Sequence, residues 1–181
     1  ADYGTIAGGG RSDPANSSTG NRVKDSYGTI SGGGNNQAGD DETAYNNASY
    51  ATVGGGKSNK AINEYATVGG GVNNTASGAY SVIAGGVSND VTGNYSFIGG
   101  GDNNQATKLD TTVGGGFENK ATGEYSTISG GWINEASGRY ATIPGGAYNG
   151  AQGDYSFAAG RHAKANGNGC FVWGDYSTST D

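Results

Sequence analysis

The side chains most able to bind a ligand or a metal form a short acidic run. Asp40, Asp41 and Glu42 are consecutive, and carboxylate oxygens are the ligands that Ca²⁺ prefers. The same composition is typical of a solvated acidic loop, and the chain lacks the glycine-rich nonapeptide of calcium-binding β-rolls. We therefore predict no metal and no other cofactor, and keep the three acidic residues as candidates for ligand binding.

The remaining reactive residues lack the neighbours that catalysis needs. His162 is the only histidine, and no nucleophile-elbow motif surrounds any serine. The Gly-Gly-Gly triplets are not followed by the Lys-Ser/Thr pair of a phosphate-binding loop. Cys170 is the single cysteine and cannot form an internal disulfide. Because acids, bases and metal ligands are not concentrated in one place, the sequence predicts a protein that is not an enzyme.

Composition indicates what kind of scaffold carries these residues. The chain has 38 Gly among 181 residues and only 14% charged residues, and it has too few large apolar side chains for a conventional globular core. The formal net charge of −6 leaves no basic stripe to neutralise phosphates, so we expect no nucleic-acid partner. No apolar run approaches membrane-spanning length, so we expect no direct membrane insertion by this segment.

A repeat of fifteen residues organises the chain. Tyrosine recurs at this interval at Tyr50, Tyr65, Tyr80, Tyr95, Tyr125, Tyr140 and Tyr155. Asp110 takes the missing tyrosine position, and Cys170, fifteen residues after Tyr155, is predicted to take the tyrosine position of the last coil. Tyr3 and Tyr27 open two longer copies. The sequence predicts one domain over residues 1–181 with eleven coils, insertions at about 11–26 and 35–49, and a C-terminal capping coil at about 155–181.

The pattern inside one repeat predicts two short strands and two turns. Residues 125–139 read YSTISGGWINEASGR, and the alternation in the first four positions favours a strand with Ser126 and Ile128 facing inward. The Gly-Gly pair permits a tight turn, the asparagine at the tenth position suits a second turn, and the alanine at the twelfth points inward. Stacked coils then pair as parallel strands, which predicts an all-β parallel solenoid.

The core of such a solenoid is thin. One valine or isoleucine per coil buries little apolar surface. The free energy gained by this burial is small compared with the entropic cost of ordering fifteen residues. We therefore expect the face that carries tyrosine at position one and Thr, Val or Phe at position three to be buried by oligomerisation. The alternative is that the tyrosines form a ladder on solvent-exposed strands.

The coil pattern resembles a known family. Its copies YATVGGGKSNKA, YATVGGGVNNTASG, YSFIGGGDNNQA and YSTISGGWINEASG resemble the YadA-like heads of trimeric autotransporter adhesins, over nearly the whole chain. The resemblance implies a left-handed parallel β-roll that forms a homotrimer. It also implies a bacterial cell-surface location, with outer-membrane anchoring through a stalk and anchor not identifiable here, and binding of a protein or glycan ligand on a host or environmental surface.

Two other functions stay open. The closing stretch YSFAAGRHAKANGNGCFVWGD is also similar to the ends of β-rolls in phage tail fibres, which would make the chain a receptor-binding fibre or spike segment of a virion tail. Threonines at position three could form a flat array, as an ice-binding or structural filament protein would need. That column contains Thr52, Thr67, Thr112, Thr127 and Thr142, and it is interrupted by Val82, Phe97 and Phe157.

The two insertions are the candidate ligand-binding region. Both stretches follow a Gly-Gly-Gly triplet in consecutive coils, so we expect them to emerge on the same side of the rod. The alternative is that they are tolerated decorations that bind nothing. The candidate residues are Arg11, Asp13, Arg22, Lys24, Asp40, Asp41, Glu42 and Tyr45.

Overall fold

The chain folds as a parallel β-solenoid. The computed structural model describes residues 3–11, 13, 15–16, 19–40 and 48–175. In these residues two parallel sheets, of eleven and ten strands, take alternate strands of the chain, so that two successive strands make one coil. The predicted all-β parallel solenoid is confirmed. No helix in these ranges is long and apolar enough to cross a membrane.

The strands are short and follow one another at regular intervals. The first sheet consists of β1 (Thr5–Ile6), β3 (Thr29–Ile30), β5 (Thr52–Val53), β7 (Thr67–Val68), β9 (Val82–Ile83), β11 (Phe97–Ile98), β13 (Thr112–Val113), β15 (Thr127–Ile128), β17 (Thr142–Ile143), β19 (Phe157–Gly160) and β21 (Phe171–Gly174). The second consists of β2 (Arg22–Val23), β4 (Gln37–Ala38), β6 (Lys60–Ala61), β8 (Thr75–Ala76), β10 (Asp90–Val91), β12 (Gln105–Ala106), β14 (Lys120–Ala121), β16 (Glu135–Ala136), β18 (Gly150–Ala151) and β20 (Lys164–Ala165).

The core is a narrow column between the two sheets. Ala66 and Val68 are fully buried on the first sheet, and Ala76 is fully buried on the second. Thr67, between the two buried residues, faces outward and is half-buried. The predicted inward positions two, four and twelve are therefore confirmed. Each coil adds only a few small side chains to this column, so its stability depends on its neighbours above and below.

The tyrosine position differs from the prediction. The strand covers positions three and four only, as in Thr67–Val68, and Tyr65 lies in the turn before it with a φ of 54°. A positive φ is uncommon for a bulky residue, yet it recurs at Tyr80 and Tyr95. Because every coil turns at the same place, the rings project from one corner and lie above one another.

The asparagine at position ten has a larger role than the predicted turn. Asn104 is fully buried, and its side-chain amide donates to the carbonyls of Gly100 at 3.0 Å and Gly116 at 2.9 Å. Its Oδ1 accepts the backbone N–H of Asn119 at 2.9 Å. Equivalent bonds link Asn21, Asn36, Asn59, Asn74, Asn89, Asn104, Asn119, Asn134 and Asn149, which we call the asparagine ladder.

The predicted bounds of the insertions are wrong. The stretch 11–26 contains β2, whose Arg22 and Val23 pair with Gln37 and Ala38 of β4, and β4 itself lies inside the stretch 35–49. The extra residues of the first coil therefore lie between Gly10 and Asn21, in the turn after the first sheet. Those of the second coil follow Gly39, in the opposite turn. The prediction that both insertions emerge on the same side of the rod is wrong.

The position predicted for Cys170 is also wrong. The last described coil has fourteen residues, since Phe157 pairs with Phe171 and Ala151 with Ala165. Gly169, with a φ of 67°, therefore stands at the tyrosine position. Cys170 takes the inward position two and packs, partly buried, against the hydrophobic core. One residue fewer in the turn before Arg161 causes this shift.

Candidate functional site

The first insertion forms a loop that is closed by its own side chains. The Oδ1 of Asp13 accepts the N–H of Ala15 at 2.9 Å, and the N–H of Asp13 donates to the hydroxyl of Thr19 at 3.1 Å. That hydroxyl donates to the carbonyl oxygens of Asp13 and Asn16 at 3.0 and 2.8 Å. Arg11 and Asp13 are exposed. The local bonds of Asp13 shape the loop, and both Arg11 and Asp13 lie at its surface.

Arg22 and Lys24 belong to the coil itself. Arg22 lies in β2, and its Nη1 donates to the carbonyl of Gly20 and to Oδ1 of Asn35, both at 3.2 Å. Lys24 is exposed two residues later. Arg22 therefore ties the end of the first insertion to the next coil.

The second insertion begins at a well-defined anchor. The N–H of Asp40 donates to Oδ2 of the buried Asp25 at 3.0 Å. Asp41, Glu42 and Tyr45 lie outside the described residues. The structure thus does not gather the described candidates into one cluster. Arg11 and Asp13 lie in the turn that follows the first sheet, whereas Asp40 lies in the turn that follows the second.

A groove near the C-terminal end of the second sheet was missed by sequence reasoning. It encloses about 280 Å³ and is lined by Glu118, Lys120, Ile133, Asn134, Glu135, Tyr148, Asn149, His162 and Lys164. Gly150 interrupts the row of outward side chains, and an added Cβ there would lie 3.2 Å from Nζ of Lys164. The glycine in place of a polar residue after Asn149 is the sequence signal that could have indicated this groove.

His162 belongs to this groove and has a structural neighbour. Its ring stacks on Tyr148 with centroids 4.9 Å apart and planes 5° apart. Both residues stand at position nine of their coils with φ near 60°. Among the described residues, no group of three or more His, Cys, Asp or Glu side chains could hold a metal ion.

The tyrosines form stacked rows along one corner of the rod. Tyr65 and Tyr80 have centroids 4.9 Å apart, and Tyr140 and Tyr155 have centroids 5.0 Å apart. The rings still leave their edges exposed, with 41% of Tyr65 and 43% of Tyr80 accessible. In this single chain the tyrosines therefore form an exposed ladder, as the alternative predicted, but they lie in turns and not on strands. We call these residues the tyrosine ladder.

Large apolar side chains are exposed elsewhere along the rod. Phe97, on the outer face of the first sheet, is 39% exposed. Phe117 and Trp132 meet edge to face after the glycine turn, with centroids 5.5 Å apart. Trp132 is 53% exposed. Exposed apolar side chains in neighbouring coils are typical of surfaces that contact another protein.

One comparison with known proteins gave a match. The family model of the ubiquitous surface protein adhesin repeat matches residues 126–138, which include β15 and β16 and the turn between them. The comparison with curated proteins found no match. The matched repeat and the parallel β-solenoid fit a YadA-like head, as the coil pattern implied. They indicate an adhesin-like surface protein.

Proposed function

We propose that this chain is the head of a homotrimeric bacterial surface adhesin that binds a protein or glycan ligand outside the cell. The observation that carries the proposal is the adhesin repeat at residues 126–138. The same arrangement of strand, glycine turn, buried asparagine and second strand recurs along both sheets. A stalk and a membrane anchor, which such an adhesin needs, are part of this proposal.

The outer face of the first sheet is the proposed trimer interface. Its position-three side chains include Phe97, 39% exposed, Phe171, 70% exposed, and the half-buried Phe157. The solenoid has a thin core, so burial of this row would add apolar contact that one chain lacks. The tyrosine ladder lies at the margin of this face, where ring edges would border the interface.

A test of the trimer uses the mass of the folded chain in solution. We expect sedimentation to give three times the 18.0 kDa of one chain. Phe97→Lys should dissociate this species, because a charge would be placed in the apolar row. Thr75→Lys, at the half-buried outward position of β8, is the matched control and should leave the mass unchanged. A monomeric parent chain would refute the trimer.

The two insertions are the proposed ligand-binding region. They are the two departures from the coil length in the first two coils, and they present charged groups such as Arg11 and Asp40 without a role in the buried column. The solenoid below them supplies a rigid support, an arrangement typical of binding loops. Their separate corners imply two contact points at one end of the rod.

Deletions that restore a fifteen-residue coil test this region. Removal of residues 11–19 keeps Gly20 before Asn21, and removal of residues 41–48 keeps Asp40 before Ser49. Each variant should retain the circular dichroism spectrum and trimer mass of the parent. Binding would be measured on immobilised glycans, fibronectin, laminin and collagen. We expect the parent to bind at least one of these and one deletion to weaken that binding at least tenfold. Unchanged binding by both deletions would remove the insertions from the ligand site.

A further inference from the structure

The tyrosine ladder has a break at Asp110. Tyr80 and Tyr95 stack at 5.1 Å before it, and Tyr125 and Tyr140 stack at 4.9 Å after it. The backbone continues through the break unchanged. Asp110 has a φ of 52°, and its N–H donates to the carbonyl of Asn94 at 3.0 Å, as the N–H of Tyr125 donates to that of Leu109. Only the side chain differs, so the break is a gap in the row of rings.

The gap has room for one planar group. Coils rise by about 4.8 Å, so the rings of Tyr95 and Tyr125 lie roughly 9.6 Å apart. A flat group midway between them would lie about 4.8 Å from each ring, within the ~6 Å reach of a cation–π contact. Tyr95 is 57% exposed against 43% for Tyr80, because no ring covers its face toward the gap.

The gap also carries an uncompensated negative charge. Asp110 is exposed, and its carboxylate makes no hydrogen bond or ion pair with any of the described residues. A carboxylate beside an open aromatic face favours a cation that is itself flat. A lysine ammonium satisfies the charge but does not stack, and a neutral ring stacks but leaves the charge unpaired.

A related contact between arginine, tyrosine and carboxylate occurs in the next coil. Cζ of Arg139 lies 5.0 Å from the ring centroid of Tyr140 and 5.5 Å from that of Tyr125. Its Nε lies 3.5 Å from Oε2 of Glu124. Tyr125 and Tyr140 stack with centroids 4.9 Å apart, so this guanidinium lies beside the pair and not between the rings. The contact shows that a guanidinium next to a carboxylate is compatible with the margin of the tyrosine ladder.

We propose that the gap at Asp110 binds the guanidinium group of an arginine side chain from a protein partner. The planes of Tyr95 and Tyr125 flank the guanidinium, and the carboxylate of Asp110 accepts its hydrogen bonds. The site lies in the middle of the rod and shares no residue with the insertions. It therefore stands independently of the ligand region proposed above, and a chain that lacks both insertions should retain it.

The experiment uses the full chain with isotope-labelled tyrosine rings and three probes. The probes are the peptides acetyl-Gly-Arg-Gly-amide and acetyl-Gly-Lys-Gly-amide, and methyl β-glucoside as a neutral ring. We expect the arginine peptide to shift the ring signals of Tyr95 and Tyr125 in a saturable way with a Kd on the order of millimolar, as one exposed contact allows. The lysine peptide and the glucoside should bind at least threefold more weakly.

Two substitutions at the same position separate shape from charge. Asp110→Tyr completes the ladder and should abolish the saturable shifts, while Asp110→Asn keeps the gap and should weaken arginine binding roughly 3- to 10-fold. Saturable shifts that persist in Asp110→Tyr would overturn the site. Equal affinity for the glucoside would reassign it to a sugar, and an unaffected Asp110→Asn would overturn the role of the carboxylate.

Discussion

The asparagine ladder predicts that removal of one buried side-chain amide greatly lowers the stability of the rod. In Asn104→Ala, the carbonyls of Gly100 and Gly116 lose their side-chain donor, and the backbone N–H of Asn119 loses its acceptor. Asn104 is fully buried, so water cannot replace these partners without opening the coil. The carbonyl of Gly116 keeps the N–H of Asp102 at 2.9 Å, which leaves the N–H of Asn119 as the most costly orphan.

The size of the loss follows from these bonds. A buried donor left without an acceptor costs about 1–3 kcal/mol, and each lost hydrogen bond costs about 0.5–1.5 kcal/mol. For one orphaned N–H and the two lost bonds to carbonyls, we expect the free energy of unfolding to fall by about 2–6 kcal/mol. That is a large fraction of the ~5–15 kcal/mol that stabilises a typical domain.

The assay is urea unfolding followed by circular dichroism, together with hydrogen exchange at the N–H of Asn119. Gln105→Ala is the matched control, because Gln105 carries the same amide at the neighbouring, half-buried outward position. It should change stability by at most about 0.5 kcal/mol. A loss below 1 kcal/mol in Asn104→Ala, or unaltered protection of the Asn119 N–H, would refute the view that the ladder stabilises the rod.

Two further predictions concern the glycine turns and the carboxyl group of Asp90. Gly71→Ala should destabilise the rod by more than 2 kcal/mol, because the φ is 89° and the new Cβ would lie 2.1 Å from the carbonyl oxygen of Gly86. Gly70→Ala, with open space around its Cβ, should stay within about 1 kcal/mol of the parent in the same urea assay. Burial raises the pKa of the Asp90 carboxyl, so the folded state holds its proton more tightly than the unfolded state, and stability falls as the pH rises above the unfolded pKa. Asp90→Asn should therefore raise the melting temperature at pH 7 but not at pH 3, and an equal change at both pH values would contradict this.

The fold could be predicted because the residue types at each position of the repeat indicate whether that position is buried. Ala66 and Val68 alternate with outward residues in a pattern that only a strand satisfies, and the same letters recur in coil after coil. The tyrosine and asparagine positions could not be assigned in the same way. Asparagine is common in turns, and Tyr65 reads as a strand former. Only the stacking of neighbouring coils shows that the asparagine is buried and links two coils, and that the tyrosine is a turn residue with a positive φ.

The errors at both ends have one physical cause. Tyrosine spacing and glycine triplets predict a register that differs from the observed one, because the inward positions set the register. The sequences Asn21-Arg22-Val23 and Asn36-Gln37-Ala38 match the asparagine and second strand of other coils, and they place the insertions correctly. Near the C-terminus, Ala163 stands where asparagine stands elsewhere and Cys170 stands where serine or alanine does. Both shifts follow from a turn that is one residue shorter.

The division between inward and outward positions explains where function can reside on this rod. The inward positions hold the coils together through small apolar side chains and the asparagine ladder, so a change such as Asn104→Ala is costly. The outward positions carry Lys120, Glu135, Gly150 and Lys164 at equivalent places in β14, β16, β18 and β20, so side chains of either charge and of different size occur there. Outward side chains can therefore form a binding surface without altering the fold. Positions where an outward side chain departs from the repeat, of which Asp110 is the clearest, are the candidate binding sites.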